Sequence, residues 1–203
     1  MNALILVDIQ NDFCLGGALA VPEGNTVVEI ANRIMPGFDL VVATQDWHPR
    51  NHKSFASQNK GIAIGEVFEL NGLKQIAWPD HCVQNTSGAE FVSELNTSRI
   101  NKTFHKGSDP EIDSYSGFFD NDHRHATGLG AFLEEQKVNE VHVMGLATDY
   151  CVKFTALDAI KLGFKSKLII DGCRGVELSP GDIEKAITEM KNSGVGIVRS
   201  TEM

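Results

Sequence analysis

Apolar residues recur along this chain in two rhythms. Ala3-Leu4-Ile5-Leu6-Val7, Leu40-Val41-Val42-Ala43, Val141-His142-Val143-Met144, Leu168-Ile169-Ile170 and Gly196-Ile197-Val198 are short continuous runs. That is the pattern of strands buried on both faces of a parallel sheet. Residues 99–105 form a weaker strand candidate. Between these runs the apolar positions fall at helical spacing. Val27, Val28, Ile30, Ala31, Ile34 and Met35 trace one helix, closed by Pro36-Gly37. Leu129, Phe132 and Leu133 mark a second, from Thr127 through Gln136. Val152, Thr155, Ala156, Ala159 and Ile160 mark a third, stopped at Gly163. Ile183, Ala186, Ile187 and Met190 mark a fourth, opened by Ser179-Pro180-Gly181-Asp182 with proline at the first helical position. Ser87 caps a further short helix through Leu95. Strands alternating with helices predict a three-layer α/β/α fold around a mainly parallel, roughly six-stranded sheet. With no linker, repeat or low-complexity run, residues 1–203 read as a single domain.

Two stretches break the rhythm. From Thr44 to about Thr86, and from Ser108 to Ala126, periodicity fails and Gly, Pro and Asn are frequent. Long irregular stretches in a compact fold are usually functional. The net charge of −9 turns the search away from nucleic acid and from anionic membrane surfaces. No apolar run approaches a membrane span, and residues 3–7 are too short for a signal-peptide core. The four cysteines, Cys14, Cys82, Cys151 and Cys173, contain no C-x-x-C pair, which points to a cytoplasmic, reducing setting rather than a disulfide framework.

In an open α/β sheet, ligands bind beyond the C-terminal ends of the strands. Asp8, Asp46 with His48, Lys106 and Cys151 each follow a predicted strand directly. Cys151 falls where a strand turns into a helix, in Gly145-Leu146-Ala147-Thr148-Asp149-Tyr150-Cys151. The helix dipole there favours an anion, which predicts a lowered thiol pKa and an oxyanion site made of backbone N–H groups. A carboxylate near the thiol can take its proton and return it to a leaving amine, and Lys106 would keep Asp8 ionised. Each residue alone has a plainer reading: Cys151 as a buried structural thiol, Asp8 as a loop cap, Lys106 as a solvated lysine. Asp46-x-His48, with His81 after a loop, offers N/O donors that suit one divalent metal: zinc first, iron(II) or manganese as alternatives. His52 and His105 read by default as loop or surface histidines, and Phe119 as a loop anchor.

Taken together these residues resemble the nicotinamidases, also called pyrazinamidases, of the isochorismatase-like cysteine hydrolases. The resemblance runs through Val7-Asp8-Ile9-Gln10-Asn11-Asp12-Phe13, Thr44-Gln45-Asp46-Trp47-His48-Pro49, Trp78-Pro79-Asp80-His81-Cys82, Phe104-His105-Lys106-Gly107, Asp113-Ser114-Tyr115-Ser116 and Gly145 through Val152. It implies hydrolysis of nicotinamide to nicotinate and ammonia in NAD salvage. It also implies Asp8, Lys106 and Cys151 as a catalytic triad and Asp46, His48 and His81 as metal ligands. The N–H groups of Ala147 and Cys151 would form the oxyanion hole, after a cis Leu146–Ala147 peptide. Phe13, Trp78 and Tyr115 would enclose the pyridine ring. A homo-oligomer is compatible with the chain. Three other readings stay open: a carbamoyl or ureido amidase of the same superfamily, a hydrolase in which metal-held water attacks and Cys151 is structural, and a non-catalytic nicotinamide- or metal-binding module.

Overall fold

The computed structural model describes residues 1–203. Six strands form one parallel sheet: β1 (Asn2–Val7), β2 (Leu40–Asp46), β5 (Lys102–Lys106), β6 (Glu140–Leu146), β7 (Lys165–Arg174) and β8 (Gly196–Val198). Their order across the sheet is β5-β2-β1-β6-β7-β8, and each neighbouring pair is parallel. Every predicted strand is present. The central strand explains why: Ala3 through Val7 are fully buried, so no face of β1 has use for a polar residue. Four helices, α1 (Thr26–Ile34), α2 (Leu129–Glu135), α3 (Lys153–Lys161) and α4 (Asp182–Asn192), flank the sheet. None is long and apolar enough to cross a membrane.

Three expectations need correction. Residues 87–95 are not a helix: Ser87–Ala89 make a single 3-10 turn, after which Phe91 bridges Gln10 and the Val92 N–H donates to the Ile9 carbonyl. The segment is spent bracing the end of β1, and that tertiary use overrides its helical spacing. Pro180 does not open α4. Gly181 precedes that helix with φ of 89°, and Asp182 is its first residue. The stretch 44–86 is not wholly irregular. It holds an antiparallel hairpin, β3 (Val67–Leu70) and β4 (Leu73–Ile76). Its two-residue turn is Asn71-Gly72, with φ of 50° and 85°. Asn-Gly with both residues at positive φ is the strongest short hairpin signal, and the sequence carries it plainly.

The strand order places the fold's switch point between β1 and β6. The chain winds from β1 through β2 to β5 on one side, then returns to lay β6 on the other. Gly145 makes that seam possible. It sits opposite Val7 in register with φ of 124°, and a Cβ there would overlap the Val7 carbonyl oxygen. The register between β6 and β7 also shifts between Val143 and Gly145. The seam is therefore closer than side chains allow, and it ends at Asp8 and at the loop bearing Cys151.

Candidate active site

The four strands that end in predicted site residues are contiguous: β5, β2, β1 and β6. Lys106 and Asp46 are register partners at the ends of β5 and β2. Asp8 follows β1 with φ of 51°, a backbone region that non-glycine residues seldom adopt. Its carboxylate is held by the Thr44 hydroxyl, which donates to Oδ1 at 2.6 Å. Lys106 Nζ lies 2.9 Å from Asp8 Oδ2, donates to the Ser114 carbonyl at 2.9 Å and reaches Cys151 Sγ at 3.4 Å. It also bonds Asp46 Oδ1. The structure thus brings Asp8, Lys106 and Cys151 together, and gives Lys106 a second carboxylate that the sequence did not assign to it.

That sharing changes the charges. Burial opposes a charged Lys106, but Asp46 and Asp8 outweigh it and hold its pKa well above the ordinary value. Burial raises Asp46, but the charged neighbours, Lys106 foremost, outweigh it, so its carboxyl sits well below the usual range. Asp8 goes the other way. Burial raises its pKa, the pull of Lys106 opposes this, and the neighbouring Asp46 charge adds to the rise. The expected lowering of the Cys151 pKa is not seen. Burial pushes the thiol well up, Lys106 pulls it down, and Asp8 and Asp46 push it further up. Desolvation and the paired carboxylates outweigh the helix dipole. Cys151 also lies in a π-helical turn, Thr148–Val152, ahead of α3. The Val152 N–H there reaches back to the Ala147 carbonyl at 3.1 Å. The Leu146–Ala147 peptide is cis, and the Ala147 N–H has no acceptor within the protein.

Asp46 turns its other oxygen toward two imidazoles, with His48 Nε2 and His81 Nε2 each 3.7 Å from Oδ2. Each ring is oriented from behind: His48 Nδ1 bonds the Gly107 carbonyl and His81 Nδ1 the Pro79 carbonyl, both at 2.8 Å. That tautomer leaves both Nε2 atoms as acceptors aimed at one point, the arrangement metal-binding histidines show. The three donor atoms lie within 4.8 Å of one another and are buried. One carboxylate and two imidazoles so arranged fit a divalent cation. Gly107 serves the same end. With φ of 65°, it leaves room for the His48 ring, which a Cβ would overlap.

His52 is not a surface histidine. It is fully buried, with its ring 4.3 Å from that of His48. The Ser54 N–H donates to its Nδ1 at 3.2 Å, which puts the ring proton on Nε2, facing the Ile112 carbonyl at 3.3 Å. Both nitrogens are engaged, and burial above all pushes its pKa down to about 4. His105 is exposed and stacks on Trp47 at 4.4 Å. Phe119 stacks on His123 at 4.8 Å and lines no part of the cavity, as a loop anchor would.

Between the Cys151 sulfur and the His81 imidazole lies a narrow, mostly apolar cavity. Cys151, Ala147, Asp46 and His81 meet Phe13, Trp78 and Tyr115 on its walls. Phe13 sets its ring against His81 at 5.5 Å, and Trp78 meets Tyr150 edge-on at 5.0 Å. Leu19, Asp113, Tyr150 and Val176 complete the lining, and sequence reasoning assigned none of them. Tyr150 precedes Cys151 and Asp113 heads the Asp113-Ser114-Tyr115-Ser116 motif, so those two had a positional signal. Val176 had none. Asp149 brings it in by accepting from the Val176 and Glu177 N–H groups at 2.9 and 2.8 Å.

The isochorismatase domain model matches residues 2–203. A nicotinamidase of Escherichia coli strain K12 is 53% identical over 95% of this chain and 92% of that protein. The structure of an Acinetobacter baumanii nicotinamidase and pyrazinamidase superposes with a TM-score of 0.96, at 44% identity, covering 99% of this chain and 97% of that one. A Pyrococcus horikoshii pyrazinamidase in complex with zinc gives 0.80 at 40% identity, covering 98% of each chain.

Proposed function

This chain belongs to the isochorismatase family, and we propose that it is a cytoplasmic nicotinamidase, hydrolysing nicotinamide, and pyrazinamide likewise, for NAD salvage. The observation that carries the reading is a single cavity with a thiol at one wall and a carboxylate–imidazole cluster at another, lined by aromatic rings between them. That spacing suits a flat heteroaromatic carboxamide, anchored at the ring and attacked at the amide.

Cys151 Sγ attacks the carboxamide carbon while Asp8 takes the thiol proton. Its raised pKa makes Asp8 a stronger base for that proton, and the raised pKa of Cys151 keeps the thiol protonated until Asp8 takes it. The Ala147 and Cys151 N–H groups hold the oxyanion. Asp8 returns the proton to the departing nitrogen, ammonia leaves, and a thioester remains. Water then attacks the thioester carbon and gives a proton to Asp8. Nicotinic acid departs, and the proton on Asp8 returns to sulfur. Lys106 fixes Asp8 and sulfur with one ammonium group. Asp46, His48 and His81 would hold the divalent ion, zinc by their donor chemistry, with iron(II) or manganese as alternatives. Bound there, such an ion would supply Lewis acidity toward a ring nitrogen donor.

The test is ammonia release from nicotinamide by purified protein, with metal content measured on the same sample. Benzamide has the same shape without the ring nitrogen, so its kcat/KM is expected to fall by about 10²-fold or more, while pyrazinamide remains a substrate. His48→Ala and His81→Ala are expected to lose metal and productive binding yet leave Cys151 open to a small alkylating reagent. Benzamide turning over as fast as nicotinamide would rule out anchoring through the ring nitrogen.

Asp8→Asn and Lys106→Ala are each expected to cost about 10²–10⁴-fold in kcat. Because they act on one proton, the double variant should be little worse than the poorer single one. Losses that multiply would separate their roles.

A further inference from the structure

Gln75 lies on β4, in a hairpin that pairs with no strand of the main sheet. Its side chain is nevertheless buried. Nε2 donates to Asp113 Oδ2 at 2.8 Å and to the Ile76 carbonyl at 2.9 Å, and comes within 3.3 Å of the Tyr115 hydroxyl. These partners settle which end of the amide is nitrogen, since an oxygen there would face a carboxylate and a carbonyl. The Tyr115 hydroxyl also accepts from Trp78 Nε1 at 3.1 Å, and Asp113 Oδ1 accepts from the Ser114 N–H at 2.7 Å. Asp113, Tyr115 and Trp78 all line the cavity, and Gln75 stands behind them.

We propose that Gln75 is a positioning residue for the reaction: its amide nitrogen, delivered by the hairpin, fixes Asp113 and Tyr115, and through Tyr115 the Trp78 indole, as the wall against which the substrate ring binds. The proposal rests on the nicotinamidase reading. Gln75 makes no contact with Asp8, Lys106 or Cys151 through its amide. Its loss should therefore loosen the ring without changing the sulfur. A hydrogen bond to a charged group, once removed, leaves a buried carboxylate oxygen short of a partner.

Gln75→Met keeps length and volume but removes the donor. Gln75→Glu keeps the shape but turns an acceptor toward Asp113. The expected result is a rise in KM for nicotinamide of about tenfold with Met and more with Glu, with kcat held within about threefold. The rate of Cys151 alkylation by iodoacetamide should not change in either variant. KM within about twofold of the parent in both variants would overturn the proposal. So would KM, kcat and alkylation worsening together, which would signal general disruption. The Kd of nicotinate, measured by calorimetry, reads the same wall without turnover. A parent protein that released no ammonia would therefore sink the functional reading, while the positioning claim would still be decided by whether that Kd weakens in the variants.

Discussion

Cys151→Ala is expected to lower kcat for nicotinamide by about 10⁴-fold or more, the usual consequence of deleting a nucleophile that works as one unit with its base. Metal content and the unfolding transition should be unchanged, because Cys151 is not among the Asp46, His48 and His81 donors. The specificity of the effect is the informative part. All four cysteines are buried, so burial does not distinguish them. Cys151 alone reaches Lys106, at 3.4 Å. Cys14 is pushed up to about 11 by burial and then by Glu94, and Cys173 up to about 12 by burial, neither with a base at hand. Alanine at Cys14, Cys82 or Cys173 should retain activity wherever the fold survives. Mass spectrometry of the parent enzyme quenched during turnover should find a nicotinoyl adduct on Cys151. Substantial turnover by Cys151→Ala, with no adduct in the parent, would move the attack from sulfur to water.

Gly145→Ala should be the most damaging single methyl group in the protein. The added Cβ would overlap the Val7 carbonyl oxygen, a main-chain atom at the end of a strand whose last five residues are fully buried. Its φ of 124° is a second penalty that no neighbouring movement relieves. Strain at a special φ and main-chain overlap in a core belong to the few mechanisms that reach about 4 kcal/mol or beyond. Relief requires β6 to part from β1, and that separation would pull the Cys151 loop from Asp8. Urea unfolding and kcat should fall together. An unchanged urea midpoint would mean that the seam tolerates separation, contrary to the close packing described above.

Much of the sheet could be read from sequence because its signal is local. Five-residue runs such as Ala3 to Val7 have no polar residue to place, and only a doubly covered strand accommodates that. The convergence of Asp8, Asp46, Lys106 and Cys151 was legible for the same reason, since strand ends in a parallel sheet share one edge. What escaped was set by distant partners. Residues 87–95 carry a helix's spacing but are consumed by contacts with Ile9 and Gln10. Gln75 and His52 look like surface residues until a hairpin and a loop fold over them. The thiol's titration depends on the balance of burial and three neighbouring charges, which no local pattern contains.

The strand order has a consequence for biosynthesis. β1, β2 and β5 neighbour one another and emerge early, but the second edge of β1 is paired by β6, beyond a long loop and α2. Until that strand leaves the ribosome, the most apolar strand of the protein presents an open hydrogen-bonding edge, a template for wrong pairing. Asp8 and Lys106 would be present by then and Cys151, the proposed nucleophile, would not. On the proposed mechanism, a nascent chain is thus catalytically silent and at its most sticky together, and both conditions end when the seam at Gly145 closes.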